Sequence, residues 1–361
     1  MTLHIFNPSH DLALAAGIAN FTPPHAAREL ATDMAFLPAL WAADESCVLV
    51  SDVSYAKRAF GRARMRLRQI GVNVSEHINF IEPDMLGSID FNDIQPWGWN
   101  ISLCRWLKRK GVDESLLPSA EYLSLTRALS HRAVAAALLA SLQGEGTVGE
   151  SFRCRHVDEV MGVMEKYGRV VVKAPWSCSG RGLRFVKSAL DVQTEGWINN
   201  VLLRQRSVMV EPYYDKVRDF GMEFETEARG TTRYVGLSFF STANGAYEGN
   251  LLATEEEKRA LLLSYIPSSL VEKVRDAICR WGESTGYVGP FGVDMMIVGR
   301  GADKGFLLHP CVEVNLRSTM GHVAIALSPR EEGKSRVMTI DMSAGCRLRI
   351  LKRPIQAAPV G

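Results

Sequence analysis

Apolar and polar positions follow two rhythms along this chain. Over residues 1–118, short apolar runs alternate with stretches of helical spacing. Residues 3–6, 48–51 and 78–81 read as buried strands, and residues 56–69, with Arg and Lys at helical spacing, as a helix. Such βα alternation predicts a doubly wound layer, with ligand sites at the carboxyl ends of its strands. Residues 121–142 are good helix formers throughout and predict one long helix. Residues 157–167 predict another, closed by Gly168. The rhythm then shortens. Residues 170–173, 183–187, 208–211, 220–226 and 234–240 are strand-like and closely spaced, which predicts antiparallel β structure. Ser269 and Glu272 have the spacing of a capping box opening a helix that ends near Gly286. Two further strands, 293–298 and 306–315, are joined through a glycine-containing turn at 299–303. From about residue 354 the chain reads as a loose tail.

Composition narrows the function classes. The 361 residues leave room for two or three domains, and 47% hydrophobic with 23% charged residues suits a soluble globular enzyme. A net charge of +2 gives no strong field for nucleic acid or an anionic membrane. The basic stretches at 62–68 and 152–155 read as solvated faces, and Trp97, Trp99 and Trp106 as packing residues at a core or domain junction. Neither a signal-peptide pattern nor an apolar run of ~20 residues is present, so a cytoplasmic protein without membrane partners is expected. The seven cysteines are scattered without CxxC or zinc spacing, which predicts reduced thiols.

Two segments carry chemistry. In the first, an apolar strand ends in Lys173 and leads through Ser177, Cys178, Ser179, Gly180, Arg181 and Gly182 into a second strand. Glycine lets backbone N–H groups approach phosphates, and the lysine adds a point charge. No Walker or Rossmann spacing is present, so two readings stand: a phosphate-covering flap on a hairpin, or a plain hairpin with a glycine turn.

The second segment pairs Asp294 with Glu313, Asn315 and Arg317. On an extended strand, 313, 315 and 317 share one face while Val312, Val314 and Leu316 bury the other. Two carboxylates and an amide oxygen on neighbouring strands form a hard oxygen site. Mg²⁺ favours few carboxylates plus substrate phosphates, so the set suits Mg-ATP better than a solvated strand face. Arg317 is placed to stabilise a phosphoryl group or a tetrahedral oxyanion.

Taken together, residues 120–345 resemble the ATP-grasp superfamily, with five pieces in the family's order. Arg132 stands where the family has an early ATP-contacting lysine; Lys173 and Ser177–Gly182 resemble its lysine strand and flap. Glu211, Pro212 and Tyr213 are similar to the adenine hinge, and Asp219 to the ribose-binding acid. Asp294, Glu313 and Asn315 match the metal ligands, and Arg317 completes the E-x-N-x-R pattern. The resemblance implies an α/β plus α+β chain. Its parts would be a doubly wound, pre-ATP-grasp-like substrate-side domain (1–118), a small lobe with the flap (119–207), a C-terminal lobe with hinge and metal site (208–350) and a tail (351–361). The implied activity is ATP- and Mg²⁺-dependent ligation, with one or two metal ions or Mn²⁺ in their place. A carboxylate becomes an acylphosphate, and an amine, thiol or other nucleophile then attacks it.

One departure concerns residues 241–250, which resemble the loop that closes near the γ-phosphate. Some relatives carry a lysine there, and this chain has Tyr247 and Asn250. Thr319 and His322, just beyond the metal strand, are candidates for substrate contact. So are His10, Asp11, His25 and Arg28, after the first strand, for holding a carboxylate or an amine; the other reading is Ser9 or Asp11 as a helix cap with His10 at the surface. Alternatives on the same scaffold are an ATP-dependent kinase or carboxylase, or a nucleotide-binding regulator without turnover.

Overall fold

A computed structural model of the chain describes residues 1–177, 182–243, 246–301 and 305–352. The predicted βα rhythm yields a four-stranded parallel sheet: β1 (Thr2–Ile5), β2 (Cys47–Leu49), β3 (Asn79–Ile81) and β4 (Asp93–Pro96), in the order β3-β2-β1-β4. The chain winds outward from β1 to β3, then returns to the other side of β1. The reversal places the loops after β1 and β4 side by side. Asn7 locks them together, donating from Nδ2 to the Gly98 carbonyl at 2.8 Å.

The closely spaced strands form two antiparallel sheets. A small one comprises β5 (Phe152–Cys154), β6 (Val170–Lys173), β7 (Leu183–Val186) and β8 (Val208–Pro212), ordered β5-β8-β6-β7. A large one contains β9 (Lys216–Thr226), β10 (Thr232–Ala243), β11 (Ala246–Leu252), β12 (Gly289–Gly299), β13 (Phe306–Asn315), β14 (Arg336–Asp341) and β15 (Arg347–Leu351), ordered β13-β12-β9-β10-β11-β14-β15. In β9, alternation sends Phe220, Met222 and Phe224 into the main core beneath the helix Ser268–Thr285. Asp219, Gly221 and Glu223 therefore share the opposite face.

One side of the parallel layer shares a core with the large sheet. Phe60, Leu67 and Trp97 pack in the same cluster as Leu252, Val323, Leu327 and Met338. The small sheet has its own core, around Val160, Val172, Ile198 and Val210. No helix among the described residues is long and apolar enough to cross a membrane.

Four expectations need correction. The stretch 121–142 is two helices, Ala120–Leu129 and Arg132–Ser141. His131 turns extended and caps the second, its Nδ1 accepting from Ala133 N at 3.0 Å. The helix of Ser268–Thr285 begins after Pro267 without a side-chain cap; the capping boxes are at Thr254–Glu257 and Thr319–His322 instead. Residues 241–250 run mostly within β10 and β11 rather than as a loop. Val312 does not share the buried face of Val314 and Leu316, because the β12–β13 register shifts between Asp294 and Met296, whose partners are Glu313 and His309. Cys311 takes the core position. The irregularity falls beside Pro310, which lacks an N–H and is tolerated on this edge strand. Residues 353–361 of the expected tail lie outside the described residues.

Candidate functional site

The site forms where the small sheet faces the polar face of the large one. Asp294 and Glu313 are direct cross-strand partners on β12 and β13, and Asn315 lies opposite Gly292. Asn315 Nδ2 donates to Asp294 Oδ2 at 3.1 Å. Burial, helped by the neighbouring carboxylates of Glu313 and Glu223, pushes the Asp294 pKa up to about 8. The donor set of two carboxylates and an amide fits a hard cation. Among the described residues no group of three His, Cys, Asp or Glu side chains is gathered to hold a metal by itself. A Mg²⁺ bound here would draw its other oxygens from phosphate and water, as Mg²⁺ commonly does.

Arg132 reaches this carboxylate row from the start of its helix, which the break at His131 makes possible. It is 8% exposed. Its Nη2 donates to Glu313 Oε1 at 2.6 Å, and its Nη1 donates to Ala174 O and to Ser177 Oγ at 2.5 and 2.7 Å. One guanidinium thus ties the flap strand to the carboxylates. A Cβ at Gly182 would lie 2.1 Å from the Ser177 side chain, so the close approach of these two positions demands glycine. Ser179, Gly180 and Arg181, with Cys178, lie outside the described residues.

Lys173 and Glu211, from adjacent strands β6 and β8, form a buried ion pair at 2.5 Å. Ser151 Oγ donates to Glu211 at 3.2 Å. Lys173 Nζ also reaches the carbonyl of Val312 at 3.5 Å, in the irregular stretch of β13. Pro212 ends β8, and Tyr213 follows, exposed, beneath the Arg169 guanidinium. Asp219 lies on the site face of β9, accepting from Lys216 Nζ and Thr242 Oγ1 at 2.5 and 2.8 Å.

Arg317 turns toward the N-terminal domain. Its Nε and Nη2 form a fork on Asp11, with Nη2 to Asp11 Oδ2 at 2.8 Å. Nη2 also donates to Asn315 Oδ1 at 3.0 Å, and Nη1 to Ser318 O at 3.1 Å. Burial disfavours the Asp11 carboxylate, but the adjacent Arg317 outweighs it and holds the pKa below the usual range. Contrary to the surface reading, His10, beside it, is 1% exposed and packed against Gly98, and Ser9 makes no side-chain cap. Burial lowers its pKa to about 4. His25 and Arg28 are exposed on the helix His25–Asp33, away from these contacts.

Tyr247 donates to Asn250 Oδ1 at 2.5 Å, and Asn250 Nδ2 donates to Phe239 O at 3.3 Å, which engages both side chains within the sheet. Thr319 caps the helix Met320–Ala326 and donates to Glu223 Oε2 at 2.8 Å; His322 Nδ1 lies 3.1 Å from the same carboxylate. Glu223 is the residue that sequence reasoning missed. It is 2% exposed, also accepts from Ser238 at 2.7 Å, and adds negative charge at Asp294. Strand alternation carried the signal, since 219, 221 and 223 share the face opposite the core phenylalanines.

No protein-family model and no curated protein matches the chain. Solved structures do. Pyruvate carboxylase T882A from Rhizobium etli, with the allosteric activator acetyl coenzyme A, matches at TM-score 0.53 and 14% identity over 94% of this chain and 31% of that one. A biotin carboxylase–β,γ-ATP complex from Campylobacter jejuni matches at TM-score 0.51 and 11% identity, over 94% of this chain and 75% of that one. Along 94% of its length the chain has the overall fold of these carboxylases.

Proposed function

We propose that the chain is an ATP-dependent ligase. It would convert a carboxylate to an acylphosphate, releasing ADP, and pass the acyl group to an amine or another nucleophile with release of phosphate. The observation that carries this reading is the row Asp294, Glu313, Asn315 and Arg317 meeting Arg132 from across the cleft. The Campylobacter jejuni carboxylase of the same fold, solved with β,γ-ATP, supports it.

In this reading Arg132, Lys173, Ser177 and the flap residues Ser179, Gly180, Arg181 and Gly182 hold the phosphates. Glu211, Pro212 and Tyr213 meet the adenine, and Asp219 the ribose. Asp294, Glu313 and Asn315 hold Mg²⁺, which supplies charge neutralisation to the phosphates when bound. Phosphoryl transfer asks the protein chiefly for positioning and charge. Arg132 changes its partner from Glu313 to phosphate oxygen, leaving Glu313 to the metal. Lys173 neutralises phosphate charge from the adjacent strand, and Arg317 faces the reacting carboxylate. Tyr247, Asn250, Thr319 and His322 border the acceptor side. The unit of function is the N-terminal layer (1–118) closing one side of a cleft made by 119–207 and 208–350. The free cysteines of the described residues suit a reducing cytoplasm.

Incubation with Mg-ATP and pools of carboxylates and amines, with ADP, AMP and phosphate assayed, tests the proposal. ADP and phosphate that require both pools support it; AMP release sinks it. Glu313→Ala is expected to abolish turnover, and full activity in that variant removes the metal assignment.

A further inference from the structure

An unbroken hydrogen-bonded chain joins the N-terminal domain to the metal end of the site. Asp11 accepts the fork of Arg317; Arg317 Nη2 donates to Asn315 Oδ1; Asn315 Nδ2 donates to Asp294 Oδ2. The two ends lie 283 residues apart in sequence, and each link is partly or fully buried. An amide has two orientations, and here both of its ends are specified. Arg317 can only donate, so it must face the carbonyl oxygen, which leaves the NH₂ for Asp294.

Asp11 is itself held firmly. It lies in the first turn of the helix His10–Ala16. The preceding His10 ring is wedged against Gly98, where a Cβ would come within 2.7 Å of it. The strand crossing at β1 and β4 sets the separation of those two loops. The next contact repeats the connection, for Ser318 N donates to the Trp97 carbonyl at 2.8 Å.

We infer that Asp11 is a positioning residue, which acts through Arg317 to fix the orientation of Asn315 and thereby couples the seating of the N-terminal domain to the metal site. This inference rests on the Mg-nucleotide reading above. Outer partners of metal ligands commonly change metal affinity by roughly 10–100-fold when removed. An Asn at position 11 keeps the shape but offers one acceptor oxygen and a competing NH₂, which turns the fork into a clash of donors.

The test compares wild type with Asp11→Asn, using Mn²⁺ titration in the presence of ADP, followed by electron paramagnetic resonance. ADP affinity without metal and the thermal midpoint are measured in parallel. Asp11→Asn is expected to weaken Mn²⁺ binding about 10-fold, with metal-free ADP affinity unchanged, a separation that general structural damage would not produce. In an Arg317→Gln background the same substitution should add no further loss. Unchanged Mn²⁺ affinity in Asp11→Asn, or full additivity with Arg317→Gln, overturns the inference. Failure of the wild type to bind Mn²⁺ with ADP overturns the ligase reading and this inference with it. If Asp11→Asn fails to fold, Asp11→Ser, which removes the carboxylate that accepts the fork, serves in its place, and Mn²⁺ affinity equal to wild type in that stable variant also overturns the inference.

Discussion

Replacing Gly321 by alanine sets two effects of opposite sign against each other. Gly321 lies in the first turn of the helix Met320–Ala326, where propensity favours alanine by up to about 1 kcal/mol. Against this, a Cβ at 321 would lie 1.9 Å from Glu223 Oε1 and 2.5 Å from Ser238 Oγ, well inside contact distance. Glu223 has nowhere to retreat. It is 2% exposed, and Gly292 on the other side would itself place a Cβ 2.4 Å from its Oε2. Relief requires the carboxylate to leave Ser238 and Thr319, and hydrogen bonds to charged groups contribute about 1.5–3 kcal/mol each. The clash therefore wins, with a net loss of roughly 2–5 kcal/mol. Urea unfolding of Gly321→Ala measures it, and Gly321→Ala combined with Glu223→Ala should lose less than the two single changes added together, since the second change opens the space. A stability within about 0.5 kcal/mol of wild type, or a gain from propensity, would refute the packing argument.

Acid should destabilise the fold through its buried histidines. Burial lowers His10 and His131 to about 4 and His309 to about 3. They stay neutral in the fold while the unfolded chain takes up protons below about 6.5, so stability is full above that pH and falls toward the folded values. The limiting slope is about 1.4 kcal/mol per histidine per pH unit; a urea midpoint that stays flat from pH 7 to 5 contradicts this. Lys173→Met should destabilise by about 3–5 kcal/mol by leaving Glu211 buried without its cation. Adding Glu211→Gln should recover much of that loss, and a double variant no more stable than the single one would discount the pair.

The parts legible in sequence were those governed by local periodicity. β6 and the helix Val157–Tyr167 fall on their expected bounds because each is a short, uniform pattern with a clear stop; β13 does so as well, despite the irregularity inside it. The break at His131 was not legible, because the stretches on both sides of Ser130 and His131 are strong helix formers. What holds it is tertiary: Arg132 N bonds to Pro175 O from another element. The carboxylate row was legible because strand period puts 313, 315 and 317 on one face. The pairing of Arg317 with Asp11 was not, since a contact across 306 residues leaves no local trace. Val312 was misassigned because the register shift around it depends on the partner strand.

The division of the hydrophobic clusters determines which parts of the chain can part from one another at little cost. Since the N-terminal layer and the large sheet are fused through Phe60, Trp97, Leu252 and Met338, separating them would uncover a core. The small sheet keeps its apolar contacts to itself and meets the carboxylate face through polar links such as Arg132–Glu313 and Lys173–Val312. Moving the small sheet away from the other two layers would therefore uncover little apolar surface, whereas parting those two from each other would uncover a core. The polar links are its latches: each one broken can be remade in water, at little hydrophobic expense.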